Sequence, residues 1–195
     1  MATKLQKHAS ELMPQSEDAL RILKARAELL AKPEVSAIEL RGIDYVRFQL
    51  SPNENYGISY QYVYEILHHV TVSKPPCIPY FVAGVINWRG SLITVVDLMK
   101  FFHPEYSGKA GEFIIIVSVN DMTLGILAYS IEGSLVYQLS QLNTPLSSTK
   151  VANPEYILGL HQSVTAILNI DVLIPGLYQA IRESIYRIGD IHGSK

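Results

Sequence analysis

The chain has 195 residues, 48% of them hydrophobic and 17% charged, with a formal net charge of −2. That length suits one ordinary domain or two small packed units, and the near-neutral balance offers no basic field to draw in nucleic acid or anionic lipid. No apolar run approaches the ~20 residues of a membrane span, so direct membrane insertion is not expected, and the single cysteine, Cys77, cannot form an internal disulfide and fits a reducing cytoplasm.

Residues 1–40 read as an N-terminal extension. Ser16 is a good N-cap, Glu17 and Asp18 complement a helix dipole, and Leu20, Leu23, Ala27 and Leu30 form one apolar stripe, which predicts a helix over about 16–31 that Pro33 ends. From Ile43 to Leu50 the pattern alternates, with Val46, Phe48 and Leu50 on one face of a half-buried strand. Ser51 to Asn55 is a turn, and Tyr56 to Tyr60 returns as a second strand; Tyr60, Tyr62 and Tyr64 share a face if that strand continues. His68 and His69 point to opposite faces if they lie on a strand. No acidic or cysteine ligand stands at a useful spacing from them, and the other histidines show no metal-type spacing either.

The most informative stretch runs from Pro79 to Phe102. Two β-rich runs, Phe81 to Ile86 and Leu92 to Val96, flank Asn87-Trp88-Arg89-Gly90-Ser91, and Asn and Gly tolerate the positive φ of a tight reversal, so a β-hairpin is expected. Asp97 then caps a short helix whose apolar face is Leu98, Phe101 and Phe102. A Trp and an Arg at the tip of so apolar a hairpin are candidates for contact with a partner.

Beyond a polar stretch after His103, Phe113 to Val117 is apolar without alternation, as in a strand buried on both faces. Asn120-Asp121 supplies a turn, Thr123 to Tyr129 returns, and Ser134 to Leu139 makes a further strand. Asn143 to Pro154 is a loop, Gly159 to Ile170 a hairpin turning near Gln162-Ser163, and residues 176–195 a C-terminal amphipathic helix and tail. The second half echoes the first: Pro79 to Val85 aligns with Pro154 to Leu160, Ser91 to Leu98 with Ser163 to Ile170, and Tyr56-Gly57-Ile58 with Leu124-Gly125-Ile126. Two small β-barrel-like units are expected, with the groove between them the natural place for a partner.

Gly84-Val85-Ile86-Asn87, Arg89-Gly90, Val95 and Asp97-Leu98 resemble the motif of CheW-like domains, the coupling proteins of bacterial chemotaxis. Trp88 stands where Leu is usual and Thr94 where Pro is usual. The likeness extends to Tyr56-Gly57-Ile58, Val63-Tyr64-Glu65-Ile66, Leu124-Gly125-Ile126 and Tyr156-Ile157-Leu158-Gly159, and so covers roughly residues 43–174. It implies a mainly β fold of two packed five-stranded SH3-like β-barrels, the first mainly 43–102 and the second mainly 112–174, with N-terminal and C-terminal helices.

By that resemblance the chain is a cytoplasmic, non-catalytic adaptor. The resemblance implies that it couples the cytoplasmic tip of chemoreceptors to the regulatory domain of a CheA-type histidine kinase, and joins membrane receptor arrays through those partners. A coupler of a pilus or gliding motility pathway is the near alternative. A nucleic-acid-binding small β-barrel is the alternative of another class, disfavoured by the charge. Catalytic, metal and cofactor residues are not expected, since no nucleophile elbow, phosphate loop or dinucleotide fingerprint is present. The expected receptor or kinase interface is Val63 with the hairpin tip Asn87, Trp88, Arg89 and Gly90. Glu65 and Arg89 are each the only full charge in an apolar segment, so a Glu65–Arg89 salt bridge is expected to fix the tip.

Overall fold

A computed structural model describes residues 42–109, 111–143 and 153–192. The expected N-terminal extension and its helix lie outside them. The chain runs β1 (Ile43–Ser51), β2 (Glu54–Ser59), β3 (Val63–His68), β4 (Val82–Trp88), β5 (Ser91–Val96), α1 (Leu98–Phe102), β6 (Phe113–Val119), β7 (Met122–Ala128), β8 (Ser130–Tyr137), β9 (Ile157–His161), β10 (Thr165–Leu168) and α2 (Ile170–His192). Two five-stranded sheets result, ordered β8-β1-β2-β10-β9 and β3-β6-β7-β5-β4.

Both sheets close on themselves. The chain beyond β3 bridges Ser73 to Val85 of β4, and the chain beyond β8 bridges Asn143 to Leu160 of β9. Each bridge ties the chain that continues from one edge strand to the opposite edge strand, so each sheet curls into a small barrel.

The repeat seen in the sequence is real in the fold. It is also exchanged between the barrels. β1 and β2 sit with β8, β9 and β10, while β6 and β7 sit with β3, β4 and β5. The parallel contacts repeat in register: Ile167 lies beside Gly57, and Val95 beside Gly125. Backbone bonds repeat too, from Asp97 N to Phe81 O and from Asn169 N to Tyr156 O, both 2.8 Å. The expected division at 43–102 and 112–174 therefore differs from the strand pairing. The chain changes barrel in the one turn of 3₁₀ helix at Tyr60–Tyr62 and again at Tyr129, so each half contributes strands to both barrels.

Strand alternation sets the core. Val46, Phe48 and Leu50 of β1, with Ile115 and Val117 of β6, fill a core shared between the sheets. Their alternates point into the barrels: Tyr45 meets Tyr137 and Ile167 in one, and Ile114 and Ile116 meet Ile86, Ile93 and Val95 in the other. β6 thus buries both faces, which is why its apolar run does not alternate.

The C-terminal helix starts at Ile170, not 176. Pro175 and Gly176 look like a stop in sequence, and Pro175, the sixth residue of the helix, forfeits its own backbone bond and crowds the Asp171 carbonyl. Ile170, Leu173, Ile174 and Leu177 are buried in the shared core and offset that loss.

Candidate functional site

The tip between β4 and β5 is a two-residue turn. Trp88 pairs with Ser91, and Arg89 (φ 51°) and Gly90 (φ 86°) are both left-handed. Two positive φ angles define the turn whose twist matches that of a hairpin. Asn87 completes it by accepting a 3.0 Å bond from the Gly90 amide. Asn87, Arg89 and Gly90 are exposed, so the turn projects into solvent.

The residues behind the tip come from the opposite edge of the same barrel. Along β3, Val63, Glu65 and Leu67 are half-buried while Tyr64, Ile66 and His68 are exposed. Glu65 Oε2 accepts two bonds, from Trp88 Nε1 at 2.8 Å and from Arg89 Nη2 at 3.0 Å. Arg89 also lies over the Trp88 ring, 4.9 Å from its centroid, and Tyr64 meets that ring edge-on at 6.4 Å. Glu65 therefore ties β3 to β4 across the seam where the barrel closes.

This geometry differs from the expected buried pair in two respects. The Arg89 side chain is 70% exposed and that of Glu65 is 36% exposed, so solvent screens their attraction. The guanidinium also reaches one carboxylate oxygen rather than forking onto both. Trp88 is the partner that sequence reasoning missed. Its ring packs half-buried on Ile86, Ile93 and their neighbours, and a half-buried indole N–H ordinarily finds an acceptor. That general rule was the only signal of it in the sequence.

The Glu65 carboxyl lies below the usual carboxylate range, chiefly through the Trp88 bond; desolvation opposes this, and the Arg89 charge and hydrogen bond add smaller lowering effects. A lowered folded value means that its contribution to stability is present above the unfolded value and is lost as pH falls through the folded one. Trp88 is the only tryptophan. Its emission is expected to change on acidification from about pH 7 to about pH 3, with a midpoint below that of an ordinary glutamate. Glu65→Gln should abolish that transition; an unaltered transition in the variant would break the assignment.

Two other expectations are revised. The tyrosines do not share one strand face: Tyr60–Tyr62 forms a turn of 3₁₀ helix, Tyr62 donates to Asp171 of α2, and Tyr64 stands on β3. His69 does not continue β3 either; it has a φ of 55°. That rotation places its ring beside His68, and the β3–β6 pairing brings Glu112 to both, an acidic neighbour that local spacing could not reveal.

The CheW-like domain family profile matches residues 44–176, a span that takes in both barrels. This chain belongs to the CheW-like domain family. Chemotaxis protein CheW of Treponema pallidum (strain Nichols) is 32% identical over 128 residues, which cover 63% of this chain and 75% of that protein. Chemotaxis protein CheW of Klebsiella aerogenes is 25% identical over 160 residues, covering 80% of this chain and 96% of that protein. Among solved structures, the scaffolding protein TtCheW from Thermoanaerobacter tengcongensis superposes with a TM-score of 0.58 at 25% identity, over 66% of this chain and 85% of that one. Within this CheW-like domain, the motif residues Asn87, Arg89 and Gly90 build the turn and its link to β3, and Gly84 lies at the barrel closure.

Proposed function

We propose that this CheW-like chain is a non-catalytic adaptor of chemotaxis signalling that holds a chemoreceptor's cytoplasmic tip and the regulatory domain of a CheA-type kinase together. The family match across residues 44–176 carries the reading, and the relatives named chemotaxis protein CheW and scaffolding protein agree with it. Such an adaptor works in the cytoplasm and reaches membrane arrays through its partners; among the described residues no helix is long and apolar enough to cross a membrane. The test is co-purification of a receptor cytoplasmic fragment and a CheA-type kinase with the full chain. Recovery of neither would end the proposal.

The interface assigned in this reading is the hairpin tip, Asn87 to Gly90, together with Val63. An exposed arginine laid over a half-buried tryptophan supports it, because Arg and Trp are the residues most often found as interaction anchors. Arg89→Ala should leave the melting temperature close to that of the parent, since the side chain is mostly in solvent. Receptor binding should fall about ten-fold, and kinase binding by less than about two-fold. Equal losses for both partners, or none for receptor, would remove the tip from the receptor interface.

A further inference from the structure

We propose that His68, His69 and Glu112 form a surface site for a divalent transition-metal ion of zinc's chemical class, clamping the end of β3 to the segment that enters β6. Their candidate donor atoms all lie within 4.8 Å of one another. Metal–ligand lengths of about 2.1 Å set tetrahedral donors roughly 3.4 Å apart, so modest side-chain rotations close the set. All three residues are exposed.

The backbone is what brings them together. Consecutive histidines on a strand would face apart. Here β3 ends at His68, and His69 takes the left-handed region, a conformation uncommon for a residue with a side chain. The His69 amide nevertheless keeps a 3.3 Å bond to Glu112 O, so the turn is anchored to the residue that supplies the carboxylate. The two imidazoles lie 3.6 Å apart between ring centroids. Phe113 stacks on the other side of His68 at 4.1 Å with planes 8° apart, which orients that ring.

The donor chemistry selects the ion. Two imidazoles and one carboxylate suit zinc and its neighbours, whereas magnesium prefers oxygen ligands alone. Three protein donors leave a fourth position open to water or another ligand. Lys109 Nζ contacts Glu112 Oε1 at 3.2 Å. It holds the carboxylate in place and keeps it ionised, but it also sets a competing cation beside the site.

Isothermal titration of the full chain with zinc chloride tests the proposal, with magnesium chloride as the control ion. The expected result is one zinc per chain, undisturbed by a large excess of magnesium. His68→Ala and His69→Ala should each weaken binding by at least the roughly ten- to hundred-fold that changing an outer-sphere partner costs. Lys109→Ala should strengthen it a few-fold, on the order of the Coulomb cost of one neighbouring charge screened by bulk water, since the lysine is mostly exposed. The histidine ring signals of the unmodified protein give a readout that needs no variant: those of His68 and His69 should shift with zinc while those of His103 and His161 stay in place. Zinc binding that survives both alanine changes, magnesium that competes equally, ring shifts confined to other histidines, or no zinc binding at millimolar concentration would each overturn the site.

Discussion

Gly84→Ala is expected to cost about 3–5 kcal/mol of folding stability. Gly84 has a φ of 148°, a region that side-chain-bearing residues essentially avoid, and a Cβ there would lie 2.2 Å from the Ser73 carbonyl oxygen and 2.7 Å from Val72 Cγ1. The carbonyl is backbone, so relief means moving the chain that closes the β3-β6-β7-β5-β4 barrel. That segment is held by two bonds, Ser73 N to Val85 O at 2.9 Å and Val85 N to Ser73 O at 2.8 Å. Backbone strain of about 1–3 kcal/mol and overpacking of about 1–3 set the scale, with the middle of their combined range giving the estimate and partial weakening of the two bonds lying within it. For a fold of this size, each kcal/mol lowers the melting temperature by roughly 2–4 °C, so the variant should melt about 10 °C lower.

Its counterpart in the other barrel separates the causes. Gly159 lies at the equivalent closure, where a Cβ would meet Leu142 Cβ at 2.7 Å and Asn143 O at 3.0 Å, without a positive φ. Gly159→Ala should therefore cost about 1–3 kcal/mol from crowding alone. Gly90 has a positive φ but open space around its Cβ position, and there the backbone cost stands by itself. A Gly84→Ala protein that melts within about 2 °C of the parent would mean that the closure is not what the motif glycine serves.

The same glycine shows how far the sequence could be read. Its place before Val85-Ile86-Asn87 marked a hairpin, because the strand pattern and the Asn and Gly of the turn are local signals. The segment that passes over it was not visible, because Ser73, which bridges to Val85, lies in a connection without periodicity. The exchange of strands between repeats was hidden for a related reason. Alternation in β1 and its absence in β6 report how many faces are buried, not which sheet buries them, and β3 to β5 have the same apolar character as β8 to β10. Only the short passages at Tyr60–Tyr62 and Tyr129 send the chain across. At the tip, the charge argument found Glu65 and Arg89 but not the indole donor between β4 and β3. Glu112 lies 43 positions from His69 in sequence, and only the pairing of His68 with Phe113 brings it near.

A chain ending at Asn169 is expected not to fold. The first turns of α2 do not decorate a finished core; they complete it. Ile170, Leu173, Ile174 and Leu177 are each at most 1% exposed, and burying one such side chain contributes about 1.5–3 kcal/mol. Four of them together supply about 6–12 kcal/mol, as much as the whole net stability of a typical domain, about 5–15 kcal/mol. The helix is also pinned at two points, by Tyr62, whose hydroxyl donates to Asp171, and by Tyr178, whose hydroxyl donates to Thr123 O at 3.0 Å. Leu173→Ala alone should cost about 2–5 kcal/mol. By contrast, Ile185 and Tyr186 are largely exposed, so a chain ending at Glu183 should melt within about 4 °C of the parent, a loss of no more than about 1 kcal/mol. Thermal melts followed by Trp88 emission compare the three directly, since the only tryptophan lies in the β3-β6-β7-β5-β4 barrel, away from every change. A cooperative melt near the parent temperature for the chain ending at Asn169 would show that the barrels close their shared core without the helix.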